Sequence, residues 1–528
     1  PVLADGIDPG TLPMGGTVAS GSASFVYGQN ILNINQDTNR VVIDWNSFNI
    51  GANATTQFNQ NSSSAIAVNR VHDVNPSQIL GNLRANGKIV LLNQNGVFFG
   101  SNSHVDVAGM LASTGKINAD EFMDTGRINL SSINNNPNAK IQNDGTINIA
   151  NSGLAAFVGP NVINNGVITA RLGKIALASG GDRATVDMYG DGLVEMALDA
   201  NASKALITNN GTLKADGGVI AITAKAAQGI VGSVVNMGGI VEANTVGVKN
   251  GRIILGATNA DVNVTGKVNA KGGNGRVDIR STDNITVTAD AEINVDAGLT
   301  GNGGLVNVIA QRSLAFLGTI FARGGATGGD GGFVDTSGME ELNIDGKVDA
   351  SAANGKSGTW LIDPRNLWIG TYGSYGNVNL FTSRANIANV ITALNSGTNV
   401  SLTTVGGGGI GDGDIIIDGT ITKTAGSNAL LTLTAVDDIY FESGSGISST
   451  AGALSLAFNA GGDITINRAI TTNGGSVNFD AGDDISIESN INTGGGTATF
   501  RADDQFHVDS GRSVTTGGGS LAVFADAV

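Results

Sequence analysis

The chain has 528 residues, and its 45 acidic against 29 basic side chains give a formal charge of −16, which argues against nucleic acid or an anionic membrane surface as its main partner. Cysteine is absent, so neither a disulfide framework nor a thiolate nucleophile is available. Its 79 glycines follow no collagen period, and 41% hydrophobic residues set in alternation exclude a disordered chain. No apolar run approaches the ~20 residues needed to span a bilayer.

From the N-terminus, Val18-Ala-Ser-Gly-Ser-Ala-Ser-Phe25, Ile31-Leu-Asn-Ile-Asn and Arg40-Val-Val-Ile-Asp-Trp45 read as short strands separated by Asn/Gly turns. Gln78-Ile-Leu-Gly-Asn-Leu-Arg is expected to form a short helical turn after Pro76, and Lys88-Ile-Val-Leu-Leu92 and Gly96-Val-Phe-Phe99 to be buried strands. From about 140 to 350 the mark Gly-x-Ile/Val/Leu returns at Gly145, Gly166, Gly211, Gly266, Gly318 and Gly346. The glycine before each strand is expected to supply a positive φ. Residues 351–400 break the pattern. Trp360 and Trp368 flank Leu361-Ile-Asp-Pro-Arg-Asn-Leu, and from Ser383, a plausible N-cap, to Leu394 the apolar residues fall at helical spacing. An inserted short helix that covers or kinks the coils is expected there.

The last part is the most regular. Ile447, Ile470, Ile491 and Val514 open four copies, with steps of 23, 21 and 23 residues. Each continues with an alternating run, such as Val477-Asn-Phe479, and the first three add a second, such as Ile485-Ser-Ile487. Short alternating strands at a period in the low twenties signal a stacked β-solenoid. Such a body has a long surface and usually no deep pocket, which puts binding and display ahead of catalysis. The chain stops at Val528 in mid-coil, and solenoids need capped ends, so a longer protein is expected.

Several stretches within residues 15–115 carry a resemblance. They are Val42-Ile-Asp-Trp-Asn-Ser-Phe-Asn-Ile-Gly51, Gln57-Phe-Asn-Gln-Asn-Ser-Ser-Ser-Ala-Ile-Ala-Val-Asn-Arg-Val71, Gln78-Ile-Leu-Gly-Asn-Leu-Arg-Ala-Asn-Gly87 and Val90-Leu-Leu-Asn-Gln-Asn-Gly-Val97. In order, spacing and residue type they resemble the secretion domain of two-partner-secretion exoproteins, the filamentous-haemagglutinin and high-molecular-weight-adhesin type. The family usually has Asn-Pro-Asn-Gly where this chain has Asn93-Gln94-Asn95-Gly96.

The resemblance implies an all-β fold, a right-handed parallel β-helix with an N-terminal cap. The expected organisation is a secretion domain over 1–250, continuing coils over 251–350, an irregular insertion with a short helix over 351–400, and regular repeats over 401–528. The resemblance also implies export through the periplasm and an outer-membrane transporter whose periplasmic domains recognise the secretion domain. The secreted product would serve adhesion, aggregation or biofilm formation, with an extracellular glycan or protein as receptor. The alternative within the same class is the stalk of a contact-dependent toxin or a haem-uptake exoprotein.

Asn93, Gln94, Asn95 and Gly96 are the candidate transporter-recognition turn, with Trp45, Asn69 and Arg70 beside them in the matched motifs. An Asn-rich turn bonded to its own backbone would look the same. A second candidate is acidic. Asp438, Asp463, Asp484 and Asp504 follow one another at 25, 21 and 20 residues. Stacked carboxylates repel, and Ca²⁺ would relieve them, but solvated turns are the favoured reading. His72, His104 and His507 are isolated, and no Ser/His/Asp or zinc spacing exists, so no enzyme is expected. A polysaccharide-cleaving β-helix is the remote alternative.

Overall fold

The computed structural model describes residues 6–188, 194–197, 205–228, 232, 234–371, 383–406, 413–442 and 444–525. The chain divides into two compact units, 1–270 and 271–528.

In the first unit each full coil gives one strand to each of three sheets, and successive coils pair in parallel and in register. Phe157 lies opposite Leu177, Val162 opposite Ile207 and Ile168 opposite Leu213, all buried. A period of two decides which side chains point inward, so matching columns of aliphatic residues fix the register. The start is different. Thr17–Ser20 runs antiparallel to Arg40–Trp45, and Ala23–Gly28 antiparallel to Ile31–Gln36. These strands cover the first coil's edge, which would otherwise offer a row of open amides and carbonyls. The chain is a parallel β-helix with an N-terminal cap, as the resemblance implied.

The helical turn expected at residues 78–84 is not formed. Strands Ser77–Ile79 and Asn82–Ala85 occupy it, with Ile79 and Leu83 fully buried. Their spacing of four suits a helix face, but a corner at Gly81 sends the two residues into different sheets. The recurring glycines also act differently from expectation. Gly145, Gly166, Gly211 and Gly266 have no positive φ. Close stacking requires them instead. A Cβ on Gly166 would lie 2.1 Å from the Gly145 carbonyl oxygen, and one on Gly211 2.1 Å from that of Gly166. Two residues before them stand Asn143, Asn164 and Asn209, all buried. Asn143 donates to Asn164 and Asn164 to Asn209, each at 2.8 Å between side-chain amides.

Twice the chain leaves the coil. The excursion after Gly109–Ser113 holds helix α1 (Ala119–Thr125), capped by Asn118 and Gly126, and strand Ile128–Leu130. The second excursion returns as Arg183–Val186, which pairs antiparallel with Ile128–Leu130. Together they press Phe122, Ile128, Leu130 and Val186 onto the outer face of the long sheet, against Val68, Val90, Leu92 and Leu111. Burial on both faces accounts for the unbroken apolar run in Lys88–Asn93.

The second unit repeats the plan. Phe458, Phe479 and Phe500 form one inward column, with the first two rings stacked at 4.5 Å. Ile470, Ile491 and Val514 form another. At one corner the hydroxyls of Thr472, Thr493 and Thr516 each donate to the carbonyl three residues on, at 2.5–2.6 Å. Lys423 begins this column. It is fully buried and donates to the Ala425 and Ala451 carbonyls at 2.6 Å.

Of the expected insertion, residues 372–382 lie outside the described set. Helix α2 (Ile387–Ser396) is present, but Asn386, not Ser383, is its N-cap. Ser383 is buried just ahead of strand Arg384–Asn386, which pairs into the sheet and delays the helix. The helix packs against strands Lys347–Asp349 and Thr420–Lys423. It stands where neighbouring coils place their third strand, and so belongs to the stack as a rung.

Candidate functional site

The turn from Asn93 to Gly96 joins strands Lys88–Asn93 and Gly96–Phe99. Asn93 is 1% exposed. Its Oδ1 accepts the Asn95 N–H at 2.9 Å, and its Nδ2 donates to the Asn75 carbonyl and to Ser77 Oγ at 3.0 and 3.1 Å. Asn95 Nδ2 donates to the Asp73 carbonyl at 2.9 Å, while its Oδ1 accepts from Asn136 Nδ2 at 3.2 Å. Gly96 has φ 109°, and a Cβ there would sit 2.4 Å from the Lys140 carbonyl. Three of the four residues therefore tie the turn to its neighbours. Gln94 is different: its Nε2 is buried and finds no acceptor among the described residues.

Trp45 and Asn69 lie behind the turn, both fully buried, with Trp45 Nε1 donating to Asn69 Oδ1 at 2.9 Å. Phe25 and Phe48 meet the Trp45 ring edge-on at 5.4 Å. Arg70 points the other way and grips Asp44 with two hydrogen bonds of 2.8 and 2.7 Å. His72 Nε2 lies 2.9 Å from the same carboxylate. Burial pushes the Asp44 carboxyl up, but the bonds from Arg70 and His72 outweigh it and hold it below its usual range. A cavity of about 420 Å³ opens here, lined by residues of the 70–74, 92–95 and 115–117 segments. Arg70, Gln94 and Asn95 reach it; Trp45, Asn69 and Asn93 support it from behind. His72 and Asp73, which follow Arg70 in the chain, also line it, as does Lys116, which no spacing in the sequence joins to them. Lys116 arrives with the first excursion, bridged to Ser131.

The family model of the TPS secretion domain matches residues 11–270. These residues belong to the TPS, or two-partner secretion, domain family. The match ends where the first compact unit ends. A heme/hemopexin-binding protein of Haemophilus influenzae strain Rd is 34% identical over 267 residues, covering 49% of this chain and 29% of that protein. A second heme/hemopexin-binding protein from Haemophilus influenzae is 31% identical over 280 residues, covering 49% of the chain and 30% of the protein. The chain thus spans under a third of the length of these curated relatives. The crystal structure of the HMW1 secretion domain from Haemophilus influenzae matches with a TM-score of 0.54 at 24% identity, over 67% of this chain and 95% of that one, a likeness of fold. Proteins with the TPS secretion domain are exported through the periplasm to the cell surface or beyond, and the domain implies a TPS transporter as partner.

Outside the secretion domain, the acidic column takes a register different from the expected one. Strand pairing aligns Asp414, Asp438, Asp463, Asp484 and then Gln505. Asp504 falls one position away, because the last step of the repeat is 21 residues and not 20. Each Oδ1 accepts the backbone N–H one coil on: Asp438 from Asp463 at 2.7 Å, Asp463 from Asp484 at 2.9 Å and Asp484 from Gln505 at 2.9 Å. The carboxylates are thus coil-to-coil caps. Among the described residues, the acidic group with oxygens within 4.8 Å of one another is Asp414, Asp437 and Asp438, which includes only one of the four candidates. Gly328-Gly-Asp-Gly-Gly332 is likewise held by neighbours, with Asp330 Oδ1 accepting the Lys356 N–H at 2.8 Å. Asp463→Ala is expected to lower stability by about 1 kcal/mol by orphaning the Asp484 amide, and Asp463→Asn to be near neutral. Thermal melting with and without EGTA checks the cause: a drop on chelation would make the column a calcium site.

One more carboxylate is perturbed. On the outward face of the second unit's long sheet, burial and the nearby Asp335 push Asp363 up to about 6. Its Oδ1 is buried and has no partner among the described residues. The folded pKa is above the unfolded one, so this group's contribution is full below about pH 4 and is lost as pH rises through about 6. Asp363→Asn is expected to flatten that part of the melting-temperature profile of the second unit; an unchanged slope would assign it elsewhere.

Proposed function

We propose that a two-partner outer-membrane transporter exports this chain by reading its secretion domain, and that the exported protein is an adhesin. It would mediate adhesion, aggregation or biofilm formation through a glycan or protein receptor. The observation that carries the reading is the secretion-domain match over residues 11–270. The coil surfaces support the binding role. Outward positions Thr434, Asn459 and Asp480 are polar and face one another in successive coils, a surface suited to many weak contacts with a hydroxyl-rich or protein partner. The inventory for chemistry is thin: His72 and His507 are each held by an aspartate, and His104 faces the Asn102 carbonyl. We therefore read the chain as a binding protein without a cofactor, not an enzyme.

A second reading is favoured by the curated relatives, both heme/hemopexin-binding proteins. In it the surface ligand is a haem carrier. The test has two arms. The full chain behind a signal peptide is expressed with and without the cognate transporter, and protein in the medium is measured. Release without the transporter would sink the export reading. The released protein is then offered glycans, host-cell surfaces and hemopexin: binding to hemopexin alone would replace the adhesin reading with the uptake one.

A further inference from the structure

Resting on the transporter reading, we infer that the cavity beside the Asn93 turn receives an extended segment of the transporter's periplasmic part, through a carboxylate flanked by an aliphatic side chain. The argument is a count of donors and acceptors. Two carboxylates lie at or beside the cavity, and both are held by bonds within the chain. Asp44 accepts from Arg70 and His72. Asp73 Oδ1 accepts from the backbone and the side chain of Asn75 at 2.9 and 3.1 Å. The Asn95 amide is held as well, by the Asp73 carbonyl and by Asn136. Two donors remain. Gln94 Nε2 is buried and unpartnered. Lys116 is exposed, lines the cavity, and has no ion pair or side-chain hydrogen bond among the described residues.

A buried donor without an acceptor is unfavourable, and a carboxylate between the amide and the ammonium would remove that cost with charge-assisted bonds. The rest of the lining is apolar. Val71 and Leu92 are buried in the wall, Ile117 is half-buried, and Val74 stands 83% exposed at the rim. Val74, Ile117 and the wall offer apolar contact to the side chain beside that carboxylate. Charge complementarity selects the occupant. In a chain of net charge −16, Arg70 offsets Asp44, Asp73 Oδ1 is taken up by Asn75, and Lys116 has no ion pair among the described residues, a balance that suits an acidic segment. The volume, about 420 Å³, holds a few side chains, as expected for one strand or loop and not for a domain.

The test measures binding of the folded 528-residue chain to the isolated periplasmic part of its cognate transporter. Gln94→Leu keeps the volume and removes the donor; Lys116→Glu reverses the charge; Lys267→Glu is an exposed control at the far end of the secretion domain. Affinity is expected to fall at least tenfold for each cavity variant and to stay unchanged for the control, with melting temperatures no lower than wild type in all three. An acidic-to-lysine change in the transporter segment should restore binding to Lys116→Glu. Wild-type affinity in both cavity variants overturns the assignment while leaving the transporter reading intact, as does equal affinity for the urea-unfolded chain. No binding of the wild-type chain in any state overturns the transporter reading itself.

Discussion

Trp45→Ala is expected to open the first coils of the secretion domain, lowering local stability there by about 5 kcal/mol. The indole is fully buried, with Phe25 and Phe48 against its edges. Truncation leaves a large cavity where two rings meet, and it also strips the buried Asn69 Oδ1 of its donor. Native-state hydrogen exchange across Arg40–Trp45 and Ile66–Val71 reads the loss directly, since coil-wise opening in a stacked fold need not be global. Trp45→Phe separates the causes. It keeps most of the packing and loses only the hydrogen bond, for about 2 kcal/mol. Equal losses in the two variants would mean that the Asn69 bond, not the rings, holds the cap. Neither Trp45 nor Asn69 has exposed surface, so any export defect in these variants should follow the loss of folded cap and vanish at lower temperature.

Gly211→Ala is the second large effect, at about 3 kcal/mol. The added methyl would lie 2.1 Å from the Gly166 carbonyl oxygen and 2.6 Å from the Asn165 carbonyl carbon. These are backbone atoms of the adjoining coil, so relief requires the two coils to part, and Asn164 and Asn209 sit at that joint. Gly256→Ala is the matched control. It sits within strand Arg252–Thr258, where the nearest atom to a new Cβ is 4.0 Å away. There alanine should be neutral or slightly stabilising, because it reduces the freedom of the unfolded chain. Chemical denaturation of the two variants side by side checks the pair; equal destabilisation would show that strand propensity, not coil contact, sets the requirement for glycine.

How much of this was legible depended on whether the signal lay within one coil or between coils. Val477-Asn-Phe479 and Ile485-Ser-Ile487 show their in-out alternation in three residues, and their repetition gave the fold class. The resemblance around Trp45 and Asn93 pointed to export. Readings failed where stacking, not local propensity, decides. Ile79 and Leu83 are spaced like a helix face but serve two sheets. Gly145 and Gly166 look like turn glycines and are in fact flattened against the coil before. Ser383 is a good cap residue, yet strand pairing at Arg384–Asn386 hands the cap to Asn386. Asp504 looked like the next acid of a column that Gln505 completes. The cavity was legible on one side only: Arg70, Gln94 and Asn95 come from adjoining coils within the matched motifs, whereas Lys116 joins them because one excursion folds back over the sheet. The one available hint of that other side was Lys116 just ahead of a non-repeating stretch.

The regular coils of the second unit have a consequence for how such proteins change length. Ile470 pairs with Ile447 and with Ile491, Phe479 with Phe458 and Phe500, and Thr472 caps its corner as Thr493 does. Excising residues 470–490 would bring Ile491 opposite Ile447 with every column restored, whereas a cut one residue shorter would leave the odd residue for a turn to absorb, as turns do where Val277, Val306, Val334 and Trp360 share one inward column at steps of 29, 28 and 26 residues. Reach in such a stack therefore changes in quanta of one coil, while the turns take up small differences in coil length.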